Sequence, residues 1–244
     1  MENDIEFKVW GHFALFTDPL TKIGGEKCSY HIPTYEAMKG IAKSIYWKPT
    51  FIWIIDSVRV MHRIRTQSKS IKPLGYGGGN SLAIYTYLAD VEYQVRSHFE
   101  WNPFRSDMVQ DRIDGKHFDI AKRMVAKGGR QDIFLGTREC QGYVQPCIFG
   151  QDTGFYDNSG ELAYGIMFHG FDYPDEIGKN ELHSRFWQPV MKDGIISFPR
   201  PEKCSIRKFV RKMIPHPPKS VGLEDSAFQS CNTCTYPCQI DLER

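Results

Sequence analysis

No stretch of this sequence is apolar for long enough to cross a bilayer. The longest such run is Phe51 to Ile55, against the roughly 20 residues a membrane helix needs. The opening residues, Met1 to Val9, carry charges and no signal-peptide core, so a cytoplasmic protein is expected. Net charge is also lacking: 31 Lys and Arg against 29 Asp and Glu leave +2, too little for a global field that would announce nucleic acid. The seven cysteines are an odd number, and four of them are scattered over residues 28–204. That is no disulfide framework, and it fits a reducing compartment. Metal and serine-hydrolase signatures are missing too: there is no HExxH, acidic tetrad, calcium loop or Gly-x-Ser-x-Gly. The glycine run at Gly75, Gly77, Gly78 and Gly79 has neither the lysine nor the Ser/Thr of a nucleotide-triphosphate loop, so a flexible turn is expected there.

What is present is a globular composition, with 41% hydrophobic and 25% charged residues. Aromatics are abundant at 14%, enough for buried rings and for base-stacking platforms. The basic residues are clustered rather than numerous. One group is Arg59, Arg63, Arg65, Lys69 and Lys72 with His62; a second is Lys116, Lys122, Arg123, Lys127 and Arg130; a third is Arg200, Lys203, Arg207, Lys208, Arg211 and Lys212. Local clusters hold phosphates whatever the net charge, although any one of them also reads as solvated surface.

Residues 5–10 alternate, with Ile5, Phe7 and Val9 on one side and Glu6, Lys8 and Trp10 on the other, which predicts a half-buried strand. Thr34 can cap a helix whose apolar face is Met38, Ile41, Ala42 and Ile45, ending before Pro49 with Tyr46 on its last turn. Phe51 to Val60 predicts a buried strand and 87–101 a long strand with one wet side. A second helix is expected over about 117–127, with Ile120, Ala121, Met124 and Val125 inward and Gly128 as its stop. A strand around 139–149 completes the order. That order is the ferredoxin-like βαββαβ unit of class α+β, in which helices cover one sheet face and leave the other for ligand. Asp193-Gly194 signals a hairpin in a small antiparallel C-terminal appendage. The expected division is 1–150 for the first domain, 151–212 for the β-rich appendage and 213–244 for a flexible tail.

The most informative short stretch is Asp114-Gly115-Lys116-His117, at a loop-to-helix junction. Free N–H groups and the positive dipole end favour an anion there, and Lys116 adds a full charge. His117 can carry protons near neutral pH. The same residues also describe an ordinary solvated helix start, and Tyr46 an amphipathic residue at the core's edge. Cys231, Cys234 and Cys238 form C-x2-C-x3-C, short of four zinc ligands unless Cys204 or His216 joins them.

Several stretches carry a family resemblance: FALFTDPLTKIGGEKCSYHIPTYEAMKGIAKSIYWKPT (13–50), YGGGNSLAIYTYL (76–88), RQDIFLGTRECQGYV (130–144), HGFDYPDE (169–176) and FPRPEKC (198–204). Over roughly residues 3–205 the chain resembles the CRISPR-associated Cas-five family of subtype I-C (the Dvulg type), within the repeat-associated (RAMP) superfamily. The resemblance implies an endoribonuclease that cuts precursor CRISPR RNA within the repeat, beside its hairpin stem. It implies that the protein then stays on the 5′ handle of the mature guide with other subunits of the type I-C interference complex. It implies no cofactor and no metal, and a catalytic group of Tyr46, Lys116 and His117. RNA contacts are expected from Arg59, Arg63, Arg65, Lys69, Lys122, Arg123 and Arg130, with stacking by Trp47, Tyr76 or Phe104. The competing readings are a scaffold that holds guide RNA without cutting, and a DNA-nicking protein using Asp172, Asp175 and Glu176 as metal ligands.

Overall fold

The computed structural model describes residues 3–213 other than 20, 74–76 and 80. Gly75, Tyr76, the candidate zinc ligands Cys231, Cys234, Cys238 and His216, and the expected tail from 214 onward lie outside the described residues.

Alternation makes β1 (Ile5–Ala14): Ile5, Phe7 and Val9 are buried, while Glu6, Lys8 and Trp10 are half-buried on the opposite face. Helix α1 (Tyr35–Ile45) starts where expected. The Thr34 hydroxyl accepts from the Ala37 N–H at 3.2 Å, and Met38, Ile41, Ala42 and Ile45 turn inward. Tyr46 lies just past the helix in an extended conformation, its N–H still donating to the Ala42 carbonyl. Strand β2 (Phe51–Val60) leads to β3 (Thr66–Ile71) and β4 (Ala83–Trp101). β3 has no apolar periodicity to betray it and forms by pairing with the first third of β4. Helix α2 (Lys116–Ala126) follows Gly115, whose φ of 77° is cheap only for glycine.

After α2 come β5 (Ile133–Phe134) and β6 (Gln141–Pro146). Next are β7 (Glu161–Ala163), β8 (Met167–Asp172), the short α3 (Pro174–Ile177) and β9 (Glu181–Trp187). The last strands are β10 (Val190–Lys192), β11 (Ile195–Ser197) and β12 (Ile206–Lys212). The protein is a mixed α/β fold of mostly antiparallel strands and few helices. One sheet runs β5-β6-β1-β4-β2-β11-β10-β7 with β3 added on β4; a second runs β12-β9-β8. Asp193 and Gly194, both at positive φ, make the expected β10–β11 hairpin. That hairpin and β7 extend the first sheet, while β8, β9 and β12 form the second, so residues 151–212 contribute to both.

α1 and α2 pack on one face of the large sheet over a core that includes Phe7, Val9, Trp53, Val95 and Phe99. The opposite face is not free, contrary to expectation. The loop over 147–160 crosses it: Phe149 N–H donates to Glu6 at 2.8 Å, Gly150 N–H to the Gln94 side chain at 2.9 Å, and the Arg96 guanidinium lies 4.4 Å from the Phe149 ring. Gln94, on the sheet's expected wet side, is fully buried beneath it.

Candidate functional site

Chain positions 71 apart meet where α1 ends and α2 begins. The Tyr46 hydroxyl and His117 Nδ1 are 2.9 Å apart. The other ring nitrogen, Nε2, lies 2.8 Å from the main-chain carbonyl of Asp111. A carbonyl only accepts, so Nε2 carries a proton, and the tautomer protonated there alone has an Nδ1 lone pair to which the Tyr46 hydroxyl donates. Trp53 fixes the approach from below, its indole N–H donating to the Tyr46 carbonyl at 2.8 Å. The His117 ring is walled by Phe51 and Trp101, with centroids 5.3 and 5.6 Å away.

Asp111, which the sequence reading passed over, holds this group together. Its carboxylate accepts from Lys116 Nζ at 2.5 Å and from the Thr50 hydroxyl at 2.8 Å. Those two hydrogen bonds, Lys116 first, hold the Asp111 carboxyl below the usual carboxylate range. Burial pushes the Tyr46 phenol above its ordinary value, the negative charge of Asp111 adds to that, and Arg130 opposes it. Tyr46 is therefore a proton donor in a hydrogen bond and not a phenolate.

Access differs sharply within the group. His117 is 1% exposed and Tyr46 4%, whereas the Lys116 side chain is 40% exposed. His117 is the first of three residues, with Ala121 and Val125, that α2 turns to the core. Their i, i+4, i+8 spacing was the available signal for its burial.

The expected RNA contacts divide in two. Arg130 is exposed and anchored at the α1 terminus, its N–H donating to the carbonyls of Ser44 and Ile45. Lys122 and Arg123 are exposed on α2, with Lys122 4.9 Å from the Phe118 ring centre. The other cluster sits elsewhere. Arg65 pairs with Asp90 at 2.6 Å, Arg63 lies over Phe155, and Lys69 stands over Phe13. From Asp90 to Trp101 along β4 is roughly 35 Å at ~3.3 Å per residue, so these residues are remote from His117. Arg59, expected among the RNA-gripping cations, is instead 5% exposed. Its guanidinium is spent on Asp157, Gln94 and the carbonyls of Gln151 and Asp152, because it is the residue that staples the 147–160 loop to the sheet. Trp47 and Phe104 are about half exposed.

Asp172 is matched by Arg185 and Arg207, and Glu176 by Lys39 and Lys43. Among the described residues, no group of three or more His, Cys, Asp or Glu is arranged to hold a metal ion, and no helix is long and apolar enough to cross a membrane.

Comparison with known proteins bears on this site. The family model described as CRISPR-associated protein (Cas_Cas5) matches residues 4–199. A curated relative from Mannheimia succiniciproducens, the CRISPR pre-crRNA endoribonuclease Cas5d, is 29% identical over 82% of this chain and 96% of its own. Two solved structures are similar throughout. A CRISPR-associated protein is 37% identical, with a TM-score of 0.71, over 85% of this chain and 97% of the other. The functionally uncharacterized SMU1763c from Streptococcus mutans is 38% identical, with a TM-score of 0.72, over the same shares.

Proposed function

Because this chain belongs to the Cas5 family of CRISPR-associated proteins, we propose that it is an endoribonuclease of precursor CRISPR RNA, with Tyr46, Lys116 and His117 carrying the cut. The observation behind this reading is the 2.9 Å Tyr46–His117 hydrogen bond with an ammonium on the adjacent residue. It supports proton transfer beside a phosphate, and the Mannheimia relative is named a pre-crRNA endoribonuclease.

In the proposed reaction the 2′-OH upstream of the cut attacks the neighbouring phosphorus in line. The O2′–P bond forms and the P–O5′ bond breaks, giving a 2′,3′-cyclic phosphate and a 5′-OH. One proton leaves O2′ and one reaches O5′. RNA supplies the nucleophile, so the chemistry needs no metal-activated water. His117 moves a proton, a contribution of about 10²–10⁴-fold. Lys116 neutralises charge on the nonbridging oxygens. Tyr46 sets the imidazole's orientation and donates to it. In the free protein Asp111 occupies both partners, accepting from Lys116 through its carboxylate and from His117 through its carbonyl. An entering phosphate takes Lys116 from Asp111, and movement of the 106–112 segment uncovers the imidazole. Lys122, Arg123 and Arg130 hold the RNA backbone beside the cut, while Arg63, Arg65 and Lys69 contact more distant RNA. The product stays bound as guide, and the protein takes its place among the subunits of a type I-C interference complex.

A ferredoxin-like core is part of the same proposal. It is supported by the β6-β1-β4-β2 order, antiparallel at every step, with α1 between β1 and β2 and α2 between β4 and β6.

The test is incubation of the purified protein with its cognate repeat RNA in excess EDTA, followed by end-group analysis. Cyclic-phosphate ends that vanish in His117→Ala are expected; wild-type cleavage that requires added magnesium overturns the mechanism. The burial of His117 favours a second reading, a guide-RNA holder that does not cut. Tight repeat binding with no cleavage by the wild-type protein would establish it.

A further inference from the structure

A cavity of about 400 Å³ lies between the loop that follows β4 and the three-stranded sheet, within the size range of sites for small organic groups. One wall is the Phe104 ring, half exposed. The ring can lie there because position 178 has no side chain: a Cβ on Gly178 would fall 2.5 Å from a ring carbon of Phe104. Ile177 and Pro201 add apolar surface, and the remaining lining is polar, with Glu176 and Glu202 at the cavity beside Asp172, Lys179, His183 and Arg207. Asp172 is 5% exposed; one carboxylate oxygen is bound from behind by Arg185, and the other stands 3.5 Å from Arg207 Nε. Arg207 is itself braced on the Pro201 carbonyl at 2.6 Å. The His183 ring packs edge-on against Phe209, with centroids 5.6 Å apart. Lys179 is exposed at the cavity and has no ion-pair partner among the described residues.

The cavity is tied to the Tyr46–His117 pair through a short chain of hydrogen bonds. The Asn102 side chain accepts from the Phe104 N–H at 3.0 Å and donates to the Asp175 carbonyl at 3.1 Å. Asn102 N–H donates to the Thr50 carbonyl, and the Thr50 hydroxyl donates to Asp111. The loop that forms one wall of the cavity is therefore the loop that covers His117.

We propose that this cavity receives a single unpaired nucleobase of the RNA, stacked on Phe104 with its polar edge toward Asp172, Arg207 and His183. The inference rests on the RNA-binding reading above and adds where that reading gains base selectivity. Flat rings over an exposed aromatic, with donors and acceptors at the edge, are how loose bases of RNA are held. The Asp172–Arg207 pair offers an acceptor beside a donor, which phosphate-led binding would not need. Lys179 is placed for the phosphate of the same nucleotide. Seating a base here sets the register of the strand that runs past Lys116.

The experiment uses the full chain and repeat RNAs in which an abasic sugar replaces each unpaired position flanking the cut, one at a time. Affinity is read by fluorescence anisotropy and cleavage by single-turnover rates. For the wild-type protein, one abasic position is expected to weaken binding about tenfold, the scale of one base stacked on one ring. In Phe104→Ala that position should cost nothing further, and Phe104→Tyr should restore the difference. The proposal is overturned if Phe104→Ala binds the intact repeat as the wild type does, or if every abasic position costs both proteins equally. Wild-type protein that shows the tenfold position without cutting would defeat the nuclease reading and leave the cavity's role standing.

Discussion

The Tyr46 hydroxyl lies 2.9 Å from Nδ1 of a buried His117 and donates to it, because the Asp111 carbonyl at the opposite nitrogen leaves Nδ1 as the acceptor. Because Asp111 occupies the opposite nitrogen, neither polar atom of the ring is idle in the free protein.

Tyr46→Phe leaves Nδ1 of a ring that is 1% exposed without a donor. An unsatisfied buried acceptor costs about 1–3 kcal/mol. Thermal denaturation should show a melting temperature several degrees lower, and cleavage should slow with little change in repeat affinity. A variant as stable as the wild type would show that the hydrogen bond is not made in solution.

Asp111 competes with RNA for Lys116. Asp111→Asn removes the charge that holds the ammonium at 2.5 Å, so the variant should bind repeat RNA more tightly while cutting it no faster. Anisotropy titration at fixed salt checks this, and unchanged or weaker affinity contradicts the competition.

The two kinds of basic residue should separate in a salt series. Replacing Lys122, Arg123 and Arg130 with alanine should flatten the dependence of log affinity on log salt by ~0.7–0.9 for each phosphate left without its cation, with stability unchanged. Arg59→Ala should do the reverse. It leaves half-buried Asp157 and the Gln151 and Asp152 carbonyls without their donor, a cost of about 1–3 kcal/mol, and leaves the salt slope alone.

His169 makes stability depend on pH. Burial first, and then the positive charge of Arg185, depress its imidazole to about 3. Above pH ~6.5 the ring is neutral in both folded and unfolded chains and contributes nothing. As pH falls below that, only the unfolded chain takes up the proton, so stability drops with pH until about 3. Between pH 6.5 and 5 the loss is about 2 kcal/mol. Urea titrations of wild type and His169→Gln at both pH values measure it; equal pH sensitivity in the two would refute the assignment.

Much of the fold was readable because local periodicity reports local burial. Thr34, the Met38-Ile41-Ala42-Ile45 face and Pro49 marked α1, and Asp193-Gly194 marked the β10–β11 turn. β3 was not legible, since Thr66–Ile71 is a polar strand that exists only by pairing with β4. Nor was the covered sheet face. Nothing local tells Arg59 that its partners arrive from 151–157.

At the site itself, the chain's own order determined which groups stand at the α1 end and the α2 start, but the sequence reading placed His117 at a solvated helix start, and its burial beside Ala121 and Val125 came from the structure. Only the tertiary structure brought Tyr46 within 2.9 Å of that ring and set Asp111 between Lys116 and Thr50. The reason is physical. Helix and strand periods act over a few residues, whereas hydrogen bonds between positions 61 and 71 apart form only after the sheet has packed against both helices.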